Sequence, residues 1–139
     1  MTRQPSHART ALKFGLRALD LKRGDSVLLP DYLCEAVIQP LEELGLHCIF
    51  FPINDDFSPV WNVVRDLVDK RARALLMVHY FGQPQSVNLY REIAEKNNLV
   101  LIEDNAHGHG GMLDGKKLGE FGDIGISSPR KILGTTTGG

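Results

Sequence analysis

The chain has 139 residues, a length that fits one domain with a real hydrophobic core. Hydrophobic residues make up 42% and charged residues 24%, as in ordinary globular proteins, and the net charge of −1 gives no general attraction to nucleic acid or to anionic membranes. There is no apolar run near the ~20 residues of a membrane span, no secretion signal at the start and no CxxC pair, so we expect a cytoplasmic protein with free thiols.

The first half of the chain alternates amphipathic helices with short apolar strands. The predicted elements are a helix over about 6–21, a strand at 27–29, a helix over about 32–45 and a strand at 47–53. Gly45 is a natural C-terminal stop for the second helix, because glycine adopts the left-handed conformation that ends helices. Pro40 lies inside that helix and is expected to kink or shorten it.

The second half repeats the alternation. Ser58 is predicted as the N-cap of a third helix with Pro59 at its first position, and Ser86 as the cap of a fourth helix that runs to about Asn97. Three strands are expected here, at 74–78, 99–102 and 123–127.

This order indicates an α/β three-layer sandwich, in which helices cover both faces of a mainly parallel sheet. Ligands of such sheets bind beyond the carboxyl ends of the strands, so the residues after each strand are the candidates for function. Those with reactive or polar side chains are Asp31, Tyr32, His79, Tyr80, Glu103, Asp104, His107, Ser127, Ser128 and Lys131. Because the polar segment 134–139 follows a strongly patterned region directly, we expect the chain to be the front part of a longer protein.

Two of these residues have the chemistry of a pyridoxal 5'-phosphate site. The cofactor's ring nitrogen must stay protonated, and a buried carboxylate such as Asp104 does that. An amine must hold its aldehyde, and partial burial of Lys131 would lower the pKa of that amine from ~10.4 toward a reactive range. The simpler interpretations are a capping acid for Asp104 and a surface charge for Lys131.

The phosphate and the ring of that cofactor also have candidate partners. A phosphate binds at helix N-termini, and Arg9 and Thr10 open the first predicted helix, while Ser128 offers a hydroxyl three residues before the lysine. A flat ring needs a stacking wall, for which Tyr32 is the candidate.

The segments "LIEDNAHGHGG" (101–111) and "KKLGEFGDIGISSPRKILGTTTGG" (116–139) resemble the DegT/DnrJ/EryC1/StrS family of aminotransferases. These are fold-type-I pyridoxal-phosphate enzymes, many of which act on nucleotide-linked keto-sugars. The matching positions are Glu103, Asp104, Ala106, His107, Gly122 to Gly125, Ser128, Lys131, Gly138 and Gly139. Upstream, "RTAL", "GDSVLLPDYLCEAVIQPL" and "VHYFGQP" fit the family as well.

The resemblance implies a role for each matched residue. Asp104 would pair with the pyridinium nitrogen, His107 would lie near the ring and its 3' oxygen, and Lys131 would form the Schiff base and move the substrate's proton. Arg9, Thr10 and Ser128 would hold the phosphate. The stacking position corresponds to Tyr32 or to Cys34, and a lysine at 131 in place of the histidine of dehydrating relatives favours transamination.

The resemblance also implies an organisation. Residues 1–139 would form the N-terminal part of a cofactor-binding large domain, with the smaller C-terminal domain absent. The full-length form would be a homodimer that takes a keto-sugar and an amino donor, with glutamate as the expected donor.

Two other functions are compatible with the residues. A metal-dependent hydrolase would use Asp104, His107 and His109 as ligands, joined by His79 and Asp123. The other alternative is a truncated domain that binds the cofactor, or only folds, without turnover.

Overall fold

A computed structural model of the chain describes residues 7–133. The helices are α1 (Ala8–Ala18), α2 (Glu35–Glu43), α3 (Trp61–Leu67), α4 (Val87–Lys96) and α5 (Arg130–Leu133), with a 3₁₀ turn at Tyr80–Gly82. The strands are β1 (Ser26–Pro30), β2 (His47–Phe51), β3 (Ala72–Val78), β4 (Val100–Asn105), β5 (Met112–Leu113), β6 (Lys116–Lys117) and β7 (Ile124–Ser127).

Five of the strands form one sheet in the order β2-β1-β3-β4-β7, and each neighbouring pair is parallel. The carboxyl ends of these strands therefore meet at one edge of the sheet. In the β4–β7 pair, Asp104 lies opposite Ile126 and Asn105 lies opposite Ser127. This register brings the end of β4 beside the segment that leads to Lys131.

Two hydrophobic clusters cover the two faces of the sheet. One contains Leu12 and Leu16 of α1 with Leu41 of α2, and the other contains Val64 of α3 with Tyr90 of α4. Side chains of a strand alternate between faces, so neighbouring strand residues fall into different clusters. The predicted three-layer α/β architecture is confirmed.

Two local features of the helices differ from the sequence-based expectation. Helix α2 is shorter than predicted, yet it continues three residues past Pro40, which is buried in it. Ser58 is not a helix cap, because α3 begins only at Trp61. Instead, the Ser58 N–H and hydroxyl both donate to Asp56 Oδ1, at 2.9 and 2.5 Å, which closes a local turn that competes with the helix.

The short β5–β6 hairpin was not predicted. Its turn residues Asp114 and Gly115 both have positive φ, of 49° and 79°, as a type I′ hairpin turn requires. The Asp-Gly pair was the available signal, and the two-residue strands were too short to show a period. Within residues 7–133, no helix is long and apolar enough to cross a bilayer.

Candidate functional site

The carboxyl edge of the sheet contains a cavity of about 280 Å³. Its walls include Tyr32 and Cys34 after β1, Phe81 after β3, Asp104 near the end of β4, Ala106 and His107 after β4, and Lys131 after β7. A smaller cavity of about 60 Å³ shares Cys34, Asp104, Ala106 and Lys131, and reaches Ala8 and Arg9 at the start of α1. Residues from five separate segments of the chain thus converge on one place.

Asp104 lies at the end of β4, on the face covered by α1 and α2, and its side chain is half-buried. Its Oδ1 accepts a hydrogen bond of 2.9 Å from the Ala106 N–H. Burial raises the pKa of this carboxyl above its usual range, although the hydrogen bond from the Ala106 N–H and the charge of Lys131 act in the other direction. An anion that is costly to maintain in the cavity would be stabilised by a cationic ligand group.

Lys131 and His107 are hydrogen-bonded to each other. The distance between Lys131 Nζ and His107 Nε2 is 3.1 Å, so Nε2 accepts and the imidazole proton lies on Nδ1. The ring of Phe81 lies nearly parallel to the imidazole, at 13°, with a centroid distance of 6.5 Å. These contacts hold the amine at the cavity wall that also contains Asp104.

The residues predicted to bind a phosphate are only partly brought together. Arg9, on the first turn of α1, lines the smaller cavity together with Lys131. The first N–H groups of a helix lack intrahelical partners and favour anions. Thr10 is half-buried and Ser128 is buried, and neither is on the wall of either cavity.

Tyr32 and Cys34 remain the two alternatives for the stacking position. Tyr32 lines only the larger cavity, with 57% of its surface exposed, whereas Cys34 lines both cavities. The Tyr80 hydroxyl donates to the Tyr32 carbonyl at 2.6 Å and so fixes this loop. Burial, followed by the nearby Asp31 and Asp104 carboxylates, raises the pKa of Tyr80, which keeps its hydroxyl a donor.

The sequence-based analysis missed the role of Glu103, which lies on the opposite face of β4 from Asp104. Its Oε1 accepts from His79 at 2.8 Å and from the Gly119 N–H at 2.6 Å, and its Oε2 accepts from Phe121 and Gly122 at 2.7 and 2.8 Å. Burial alone would raise the pKa of Glu103, but these hydrogen bonds hold it below its usual range. Strand alternation along "LIEDN" was the signal that separates the two acids.

The metal-site alternative has no geometric support in the described part of the chain. Within residues 7–133, no three His, Cys, Asp or Glu side chains lie close enough together to hold a metal ion. His79 is fully engaged with Glu103 and with the Gln85 N–H. Asp123 lies at the other end of the strands, where it accepts from the Leu101 N–H at 2.7 Å and pairs with Arg91.

A comparison with protein-family models gives a match over residues 6–139 to the DegT/DnrJ/EryC1/StrS aminotransferase family. The chain belongs to this family. The match includes the Glu103–His107 motif and the segment around Lys131. It also includes Gly138 and Gly139, which lie outside the described residues.

The relatives of this family member include the UDP-N-acetyl-3-dehydro-alpha-D-glucosamine 3-aminotransferase of Acidithiobacillus ferrooxidans. It is 32% identical over 132 residues, which are 93% of this chain and 36% of the relative. S. venezuelae DesV, solved in complex with a ketimine intermediate, is 28% identical with a TM-score of 0.77, over 88% of this chain and 32% of DesV.

A third similar protein is a GDP-4-keto-6-deoxy-D-mannose-3-dehydratase from E. coli, solved with bound hydrated PLP. It is 25% identical, with a TM-score of 0.82 over 90% of this chain and 34% of the dehydratase. The chain therefore spans about a third of the length of these relatives. The family is one of pyridoxal-phosphate-dependent aminotransferases, as the sequence motifs implied.

Proposed function

We propose that this chain binds pyridoxal 5'-phosphate and takes part in transferring an amino group from an amino acid to a keto-sugar. The observation that supports this most directly is the cavity whose wall brings together the amine of Lys131, the imidazole of His107 and the carboxylate of Asp104. Each has the chemistry that the cofactor's aldehyde, ring oxygen or ring nitrogen needs.

The cavity fits pyridoxal 5'-phosphate in its size and in the charged and hydrogen-bonding groups on its wall. Its volume of about 280 Å³ is close to the lower end of the ~300–1,000 Å³ typical of small-molecule sites. Asp104 is half-buried and burial raises its pKa, so the protonated ring nitrogen of the cofactor would restore the favourable ionised state. Arg9 and the first turn of α1 lie at the adjoining cavity, where they would attract the phosphate.

The residues of this chain would then have distinct tasks. When bound, the cofactor supplies an electron sink for the bond broken at the substrate's Cα. Asp104 would keep the proton on the ring nitrogen. Lys131 would hold the aldehyde covalently and, once released, accept the proton from the substrate's Cα through Nζ. His107, hydrogen-bonded to Nζ, would orient this amine.

The substrate class is inferred from the relatives. The Acidithiobacillus ferrooxidans relative is named for a UDP-linked dehydro-glucosamine, and the E. coli relative for a GDP-linked keto-deoxymannose. A nucleotide-linked keto-sugar as acceptor and glutamate as donor are therefore our proposal for the complete protein. The lysine at position 131 supports transamination over the dehydration performed by the E. coli protein.

We further propose that residues 1–139 are the N-terminal part of a cofactor-binding large domain that works as a homodimer. The chain's coverage of about a third of its relatives supports this organisation. In that complete domain, Thr10 and Ser128 would complete the phosphate site beside the loops that line the two cavities.

The covalent attachment is the testable core of the proposal. The protein is incubated with pyridoxal 5'-phosphate, reduced with borohydride and digested, and the modified peptide is located by mass spectrometry. We expect the reduced adduct on Lys131. Lys117→Ala, which removes an exposed lysine of the β5–β6 hairpin, is the matched control and should leave the adduct unchanged. Labelling spread evenly over the exposed lysines, or none on Lys131, would refute the assignment.

A further inference from the structure

Glu103 and His79 form a buried acid–imidazole pair beside the proposed site, and neither has a part in the chemistry described above. Both side chains have no exposed surface, and Nε2 lies 2.8 Å from Oε1. The His79 Nδ1 accepts from the Gln85 N–H at 3.1 Å, so the imidazole proton lies on Nε2 and is donated to Glu103. The orientation of the pair is therefore defined on both sides of the ring.

The same carboxylate fixes the loop that leads into β7. It accepts three backbone hydrogen bonds, from Gly119, Phe121 and Gly122, at 2.6 to 2.8 Å. The approach is so close that a Cβ on Gly122 would lie 2.9 Å from the Cβ of Glu103 and 2.8 Å from the Leu101 carbonyl oxygen. One side chain of β4 thus helps to fix where β7 begins, together with the Leu101 backbone, whose carbonyl accepts from the Asp123 N–H at 2.7 Å.

The position of β7 in turn determines the distance between the two reactive groups. Asp104 is the next residue of β4 and lies opposite Ile126 of β7, and four residues after β7 comes Lys131. The Lys131 N–H donates to the Ser128 carbonyl at 3.0 Å, which ties α5 to the end of that strand. A shift of β7 along β4 would therefore move the amine relative to the carboxylate.

We propose that Glu103, oriented by His79, is a positioning residue that sets the separation of Asp104 and Lys131. It does so from the opposite face of the sheet, and its side chain is not on the wall of either cavity. Only an anion with two oxygens in these places can accept hydrogen bonds from the three backbone N–H groups and from the buried imidazole. This proposal rests on the proposed function for its catalytic meaning. The hydrogen bonds of the Glu103 carboxylate with His79, Gly119, Phe121 and Gly122, which we call the clamp, can be tested without the cofactor.

The test compares Glu103→Gln with the wild-type protein in two ways. Amide hydrogen exchange of the cofactor-free protein reports the clamp. We expect exchange about tenfold faster or more at Gly119, or at Phe121 and Gly122, because the single carbonyl oxygen of glutamine can replace only one carboxylate oxygen and its NH2 group cannot accept the hydrogen bonds of the other. Borohydride trapping reports the site, and the adduct at Lys131 should form about tenfold more slowly or worse. The matched control is Glu120→Gln, an exposed acid in the same loop, with both readouts within twofold.

A core variant separates positioning from general stability. Leu75→Ala removes a fully buried side chain of β3 on the same face of the sheet and leaves the clamp in place. The denaturant concentration is adjusted so that Leu75→Ala and Glu103→Gln are equally stable. Under these conditions, Leu75→Ala should leave the pH profile of adduct formation unchanged, whereas Glu103→Gln should displace that profile. If Leu75→Ala slows trapping and moves the profile as much as Glu103→Gln does, the positioning role is overturned.

Conservative variants keep the proposal testable if Glu103→Gln does not fold. His79→Gln retains a donor toward Glu103 and should rescue most of the trapping rate that His79→Leu loses. Glu103→Asp retains the charge and should fall between the wild type and Glu103→Gln. Equal rates for His79→Gln and His79→Leu would overturn the role of the imidazole. If the wild type forms no adduct at Lys131, the proposed function fails, and the exchange data still decide whether the clamp exists.

Discussion

Gly125→Ala tests how closely the loop before β7 approaches that strand. A Cβ built on Gly125 lies 1.7 Å from the Gly119 carbonyl oxygen, whereas real Cβ atoms essentially never come closer than 3.0 Å to such an atom. The loop would have to move by more than an ångström. Because the Gly119 N–H is one of the donors to Glu103, that movement also breaks a charged hydrogen bond. The motif glycine is therefore required by packing at this position.

The expected loss in the free energy of unfolding of Gly125→Ala has two contributions. Overpacking costs about 1–3 kcal/mol, and the loss of a hydrogen bond to a charged group costs about 1.5–3 kcal/mol. Alanine fits a strand better than glycine by roughly 0.5–1 kcal/mol, which offsets part of the loss. We expect Gly125→Ala to lower the free energy of unfolding by about 3 kcal/mol. With a urea m-value of roughly 1–3 kcal/mol/M, the midpoint should fall by roughly 1–3 M.

Urea unfolding followed through the fluorescence of Trp61, the single tryptophan, measures this change. Gly15→Ala is the matched control, because its Cβ meets only the flexible end of the Ile124 side chain, at 2.8 Å, on the same strand. Alanine is favoured over glycine in a helix by about 1 kcal/mol, so Gly15→Ala should stay within about 1 kcal/mol of the wild type. Equal midpoints for Gly125→Ala and Gly15→Ala would refute the steric explanation.

Three further variants address the site and the fold. Asp104→Asn should raise the free energy of unfolding of the cofactor-free protein at pH 7 by roughly 0.5–2 kcal/mol. Burial raises the pKa of Asp104 in the folded state, so its carboxylate destabilises the folded protein only as the pH rises above the ordinary value of 3.8. In more acidic solution, urea titrations of Asp104→Asn should therefore show no gain in stability over the wild type. Tyr80→Phe removes the donor to the Tyr32 carbonyl and should cost about 1 kcal/mol in the same assay, and a neutral result would contradict that bond. Ser58→Ala should cost less than about 0.5 kcal/mol, whereas a true N-cap would cost about 1 kcal/mol.

The sheet and its helices could be predicted from the sequence because both depend on periodicity. Strands buried on two faces read as continuous apolar runs, and Leu12, Leu16 and Leu41 gave the helical spacing that the first core cluster confirms. The start of α3 could not be predicted in the same way. Both Ser58 and Asp56 are good capping or turn residues, and the choice between them depends on which hydrogen bonds the folded segment makes, here those from Ser58 to Asp56.

The edge of the sheet that carries the candidate site could also be predicted, since parallel strands must end at one edge, and Asp104, His107 and Lys131 do line one cavity there. What a linear pattern cannot give is the place of side chains whose partners are distant in sequence. Thr10 and Ser128 have the right chemistry for a phosphate, yet their positions relative to the two cavities depend on how α1 packs beside β7. The family resemblance identifies Thr10 and Ser128 as candidates, but it does not show how α1 packs beside β7.

The adjacent acids Glu103 and Asp104 show how one strand separates structural and chemical tasks. Their side chains point to opposite faces, so their environments differ although their backbones are neighbours. Glu103 receives four hydrogen bonds, which lower its pKa and keep it a fixed anion that holds the loop. Asp104 receives one, and burial raises its pKa, so its ionisation responds to what enters the cavity. Groups whose pKa values are pushed in opposite directions have different tasks, and here the anchored anion keeps the responsive one in position.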